Sequence, residues 1–203
     1  MANHTLLKLK EDEREKRREL ILLAAQKLFS KKGITCVSMR DIAREAGVSV
    51  GFIYRYFTGQ TDIFVELFEA GALELARRMD AELTASGPHS HRRLAHTYVS
   101  YLHENNMFYE MMIHFMLEGN LSDNALNRVN AVLRKIMDHV EVFFKNEGNG
   151  ANSRVLAHSF FASLNGVMIS FANYPGRTLQ ETKKRTLLLA ETIADRFVKN
   201  SEE

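Results

Sequence analysis

Apolar side chains recur along this chain at helical spacing, and no stretch of useful length shows the alternation of a strand. Ile21, Ala24, Ala25, Leu28 and Phe29 fall on one face of a helix expected over about 12–32, which Gly33 should end. Ile42, Ala43 and Ala46 share a face of a second, short helix near 39–46, and Val48, Ile53 and Tyr56 supply the opposing face of a third near 50–56. Ile63, Leu67, Gly71, Leu75, Met79 and Leu83 recur every four residues. They predict a fourth helix over about 60–83, roughly 35 Å long. Further helices are expected near 90–104, 106–118, 122–147, 151–173 and 178–199. The breaks are Ser86 to Ser90, Asn105-Asn106, Gly119-Asn120, Glu147 to Gly150, and Tyr174-Pro175-Gly176. The pattern is all-α, with an N-terminal three-helix domain joined by a long fourth helix to a larger C-terminal helical domain, about nine helices in all.

The segment from Met39 to Thr58 is specified beyond its apolar spacing. Ala43 is small where two short helices would cross, and Gly47 sits where the turn between them needs positive φ. Ser38 with Asp41 forms an S-x-x-D capping box for the first helix, and Ser49 can cap the second. A generic helical hairpin shares the spacing and the Gly turn but seldom the small residue and two caps as well. The segment therefore reads as a helix-turn-helix, with the motif at about 38–57.

These residues carry a family resemblance. The string Ile21-Leu22-Leu23-Ala24-Ala25, Leu28-Phe29, Gly33, Met39 to Ala46, Gly47-Val48-Ser49, Gly51, Ile53-Tyr54, Tyr56-Phe57 and Asp62-Ile63-Phe64 resembles the DNA-binding domain of the TetR family of bacterial transcriptional regulators. Over the rest of the chain the resemblance lies only in length and helix count. It implies a DNA-binding domain at 1–60, and an effector-binding and dimerisation domain at 61–203. It also implies that the hydroxyls of Tyr54 and Tyr56 meet phosphates while their rings pack on the domain. Val50 and Gln60 depart from the family pattern, which often has lysine there, and this should lower the salt dependence of DNA binding.

Helix-turn-helix geometry sends the start of the second helix towards base edges and leaves its flanks to phosphates. Val50, Gly51 and Arg55 are the expected base-facing residues: Val50 for a thymine methyl, Gly51 for close approach, Arg55 for guanine O6 and N7. Ser38, Arg40, Ser49 and Thr61 are the phosphate candidates, beside the two tyrosines.

Charge agrees with a DNA-binding end. The net charge is +2, but residues 1–60 hold 12 basic and 7 acidic residues, a net +5, and the remaining 15 basic and 18 acidic residues give −3. From Lys10 to Glu19 both signs alternate, which suits either a phosphate-binding arm or i,i+4 pairing on a solvated helix.

The 203 residues, 45% of them hydrophobic, suffice for a sizeable core, and the two prolines leave long helical stretches intact. No signal peptide and no run of about 18 apolar residues is visible, so a soluble, cytoplasmic protein without membrane contact is expected. The single cysteine, Cys36, cannot pair within the chain and reads as a small packing residue.

The C-terminal part is less specific. Met107, Met111, Met112, His114 and Phe115 lie on a Met-rich helix. With Phe143, Phe160, Leu164 and Met168 they are candidate walls of a pocket for a small, largely apolar effector. Core packing explains the same residues and is the favoured reading. Phe160, Phe161, Leu164, Leu188 and Ile193, on the final two helices, are candidates for a homodimer interface, with an intrachain core as the other reading. His103, His114, His139 and His158 lie on separate helices, and no spacing suggests a metal site or a cofactor. No nucleophile or carboxylate constellation points to catalysis. The expectation is a homodimeric DNA-binding regulator, a repressor released from its double-stranded operator by a small molecule. A ligand-independent DNA-binding protein is the alternative, and an all-α enzyme a remote one.

Overall fold

The computed structural model describes residues 2–84, 90–117, 121–147, 150–172 and 174–198, with side chains from Lys8 onward. Among these residues the chain is helical throughout: α1 (Ala2–Lys32), α2 (Met39–Glu45), α3 (Val50–Ile53), α4 (Gln60–Thr84), α5 (Ser90–Glu104), α6 (Asn106–Leu117), α7 (Asp123–Asn146), α8 (Ser153–Phe171) and α9 (Leu179–Phe197). Short 3-10 turns occupy Ile34–Cys36 and Gly150–Asn152. The expected helices are all present. The expected breaks at 86–89, 119–120 and 148–149 lie outside the described residues.

The chain divides into two compact units, residues 1–69 with 107–128, and residues 70–106 with 129–203. In the first unit α1 packs on α2 and α2 on α3. Ile21, Ala25, Phe29, Ile42, Ile53, Phe57 and Ile63 are almost wholly buried there, so the apolar face expected of each short helix meets one shared core. Phe29 meets Phe64 at 4.5 Å between ring centroids, and Phe68 stacks on Phe108 of α6 at 5.0 Å. Buried aromatic rings thus hold the start of α4 between α1 and α6.

In the second unit α9 packs on α5 and α8. Its buried stripe is Thr186, Ala190 and Ala194, four residues apart. Small side chains there let the helix axes approach closely, while Leu187, Leu189 and Ile193 are only half-buried. Tyr98 and Asn165 are buried and satisfy each other, the phenol donating to Asn165 Oδ1 at 2.8 Å. A Thr178–Glu181 capping box starts α9. No described helix is long and apolar enough to cross a membrane.

Two expectations are corrected. Helix α1 begins at Ala2, ten residues before the expected start, because the charged stretch ahead of Ile21 carries no apolar period to reveal it. Cys36 is exposed, since the 3-10 turn buries its neighbours Ile34 and Val37 and leaves the thiol outside.

Candidate nucleic-acid interface

The motif is built from two short helices that cannot stand alone: α2 has seven residues and α3 four. A helix so short gains little from propagation, so caps and core contacts must hold it. At α2 the Ser38 hydroxyl oxygen accepts from the Asp41 N–H at 3.2 Å, and the Ser38 N–H donates to Asp41 Oδ2 at 3.0 Å. These Ser38 hydrogen bonds, with Lys32 and Arg44 nearby, hold the Asp41 carboxyl below its ordinary pKa. At α3 the Ser49 oxygen accepts from the Phe52 N–H at 3.1 Å. Between them Gly47 takes φ 67°, the left-handed conformation the turn requires.

The expected DNA-contacting residues fall into four places. Ser38 and Arg40 are exposed at the start of α2. Ser49 and Gly51 are exposed and Val50 half-buried at the start of α3, and a Cβ at Gly51 would meet nothing within 4 Å. The close approach expected of Gly51 is therefore sterically open. Tyr54 is the C-cap of α3 and 55% exposed; Tyr56 is half-buried, 5.2 Å from the Phe52 ring. Arg55 follows the C-cap and is exposed, at the opposite end of α3 from Val50. Thr61 is exposed at the second residue of α4.

The start of α4 is held by charge. Arg128 of α7 reaches Asp62 at 2.7 Å and Glu69 at 2.5 Å, while Asp62 also accepts from the Thr58 N–H at 3.2 Å. Arg18 of α1 pairs with Glu66, its Nε donating at 2.7 Å, and its guanidinium lies 4.9 Å over the Phe57 ring. Gln60 donates to the Ile34 carbonyl at 3.3 Å, so it anchors the 3-10 turn within the protein.

Spacing of charges did not reveal the surroundings of Arg55. Lys10, Glu13, Arg14 and Arg17 of α1 line one open cleft with Arg55 and Tyr56, of about 300 Å³. The signal was the helical period itself: positions 10, 13, 14 and 17 share a face, and Glu11, Asp12, Glu15 and Glu19 lie off it.

The other expected sites are placed as follows. Met107, Met111, Met112, His114 and Phe115 belong to the first unit, and Phe143, Phe160, Leu164 and Met168 to the second. Met111, Met112, Phe115, Phe143, Phe160, Leu164 and Met168 are buried, and Met107 and His114 half-buried. The Phe160 ring lies 5.8 Å from Phe144 and 5.4 Å from Phe197, inside its own unit. Phe160 and Leu164 thus back the α8 surface instead of forming it. That surface exposes Val155 (66%) and Ile169 (52%) beside Ala162 and Gly166, and α9 adds Leu188 (57%). Phe161 and Ile193 are half-buried. His103 pairs with Thr186 at 2.7 Å and His139 with Asp80 at 2.8 Å, and among the described residues no group of three His, Cys, Asp or Glu could hold a metal ion.

Residues 21–67 match the family model of bacterial regulatory proteins of the tetR family. The chain is 34% identical over 73 residues to the HTH-type transcriptional regulator YfiR of Bacillus subtilis (strain 168), covering 36% of this chain and 36% of that protein. It is 40% identical over 68 residues to the HTH-type transcriptional regulator AcrR of Shigella flexneri, covering 31% and 32%. These matches span only about a third of either relative's length. Among solved structures, that of the transcriptional regulator FadR from Bacillus subtilis in complex with stearoyl-CoA aligns with TM-score 0.67 and 18% identity, over 90% of this chain and 98% of that one. At that identity the likeness is one of fold.

Proposed function

We propose that this chain, which belongs to the TetR family of bacterial regulatory proteins, is a sequence-specific DNA-binding transcriptional regulator. It acts as a homodimeric repressor that leaves its operator when a small, largely apolar ligand binds. The observation that carries the reading is the doubly capped helix-turn-helix with Val50, Gly51 and Tyr54 presented around α3. Residues 1–60 are the DNA-binding domain and 61–203 the effector-binding and dimerisation domain. Ser38, Arg40, Ser49, Tyr54, Tyr56 and Thr61 serve the phosphates, and Val50 and Gly51 face bases.

Two-fold symmetry would set the paired α3 helices one DNA turn apart, about 34–36 Å. The exposed α8 surface around Ala162 and Gly166, with Leu188 of α9, supports a self-complementary contact. A Cβ at Gly166 meets nothing within 4 Å of its own chain. Gly166→Arg should therefore spare the fold and yield a monomeric mass by light scattering where the wild type is dimeric; a monomeric wild type at micromolar concentration would remove the dimer.

The Met-rich side chains of α6, within the first unit, suit an irregular apolar ligand. The stearoyl-CoA bound by the similarly folded FadR makes long-chain acyl thioesters the first probes. A ligand acts by binding the DNA-free state more tightly, and only that difference in affinity releases the operator. Genomic fragments retained by the protein would supply the operator, and mobility shifts with and without acyl thioesters test the whole reading. No retained fragment rejects the DNA-binding function; release by none of a broad ligand panel leaves a ligand-independent DNA-binding protein.

A further inference from the structure

We infer that Lys10, Arg14, Arg17 and Arg55 form a seat for a backbone phosphate of the operator, beside the far end of α3. Arg55 then grips the strand and does not read a guanine, the role its sequence position suggested. The inference rests on the DNA-binding function proposed above and extends its contact surface along α1.

Three observations converge. First, the face of α1 turned to this cleft is mainly cationic, which favours the phosphate-binding arm among the two readings that the sequence allows. Four cations, Lys10, Arg14, Arg17 and Arg55, line it with a single carboxylate, Glu13. Glu13 pairs with Arg17, which leaves Lys10, Arg14 and Arg55 in excess. Gathering like charges is unfavourable unless an anion completes the group.

Second, the cations are positioned rather than merely near. The guanidinium carbons of Arg17 and Arg55 each lie 5.9 Å from the centroid of one ring, Phe52. Tyr56, which lines the cleft beside Arg17, packs its ring 5.2 Å from the same phenylalanine. Phe52 therefore serves as a common platform for an arginine of α1 and an arginine of the motif. Planar guanidiniums held this way present their N–H groups to tetrahedral oxyanions in pairs.

Third, the polarity of α3 separates Arg55 from base reading. Bases meet the first residues of a recognition helix, which Ser49 marks here, whereas Arg55 lies beyond the Tyr54 C-cap. A duplex lying against Val50 and Gly51 brings its sugar-phosphate strand, not a base edge, past the flank of the helix.

The test uses the whole 203-residue chain, on an operator recovered from retained fragments. Affinity is measured against salt concentration for the wild type, for Lys10→Gln with Arg14→Gln, and for Arg55→Gln. Each lost phosphate contact should reduce the slope of log K against log salt by about 0.9, with sequence preference unchanged. Ethylation of single phosphates locates the contact: modified phosphates beside the recognition groove block the wild type and no longer affect the double variant. Unchanged slopes, an identical ethylation pattern in the two proteins, or altered base preference in Arg55→Gln would overturn the seat while leaving DNA binding intact. A wild-type chain that retains no DNA overturns the proposed function itself.

Discussion

Ser38, Gly47 and Ser49 each fix one backbone feature of the motif, and each loss has its own signature. Ser49→Ala removes the acceptor for the Phe52 N–H, and should cost about 1 kcal/mol in a urea melt. Gly47→Ala must hold φ 67° with a Cβ, and should destabilise by about 1 kcal/mol although no neighbouring atom obstructs the methyl group. Asp41 gives a pH signature. Its folded pKa is depressed by Ser38, so the stability it lends is present above the unfolded carboxyl's value and is lost as pH falls through the folded one. The gap in melting temperature between wild type and Asp41→Asn should accordingly be widest near neutrality and close on acidification. These three residues were legible in the sequence because caps and positive-φ glycines are local chemistry. The exposure of Tyr54 was not, since it depends on neighbours that the local string does not contain.

Among the helices, the boundaries were legible wherever an apolar period met a cap or a Gly, as at Gly33, Ser38 and Ser49. The start of α1 and the end of α3 were not. α1 reaches back to Ala2 through residues whose alternating charges carry no burial signal, and α3 stops at Ile53 because Tyr54 to Tyr56 turn instead of continuing the helix. Nor does composition tell which face of α1 turns to the motif, so Lys10, Arg14 and Arg17 stayed unassigned until α3 was in place. The Met-rich α6 shows the same limit. Its buried side chains are equally compatible with a core and with a pocket wall, since both are apolar. Ion pairs between helices were also invisible, and Arg128 joins the start of α7 to α4 at Asp62 and Glu69. Arg128→Met leaves those two carboxylates without their shared partner and should cost about 1–3 kcal/mol. A double-mutant cycle with Glu69→Gln in urea melts measures how much of that loss is the pairing itself.

For the molecule as a whole, the charge division of +5 over residues 1–60 and −3 over the remainder suits the proposed approach of the N-terminal end to a polyanion. Acid should weaken the other unit through His103. Burial, aided by Lys183, lowers its pKa, so the neutral form is favoured in the fold. The unfolded state then binds more protons below about pH 6.5, and stability declines there as pH falls. His103→Gln should flatten that decline in thermal melts taken across the range. The four residues of α3 have a last consequence, in time rather than in energy. Ser49, Ile53 and Phe57 fix this helix before DNA arrives, so encounter need not wait for a segment to fold. Association should run at a single rate set by long-range attraction and falling steeply as salt is added, while residence on the operator reports the contacts made after arrival.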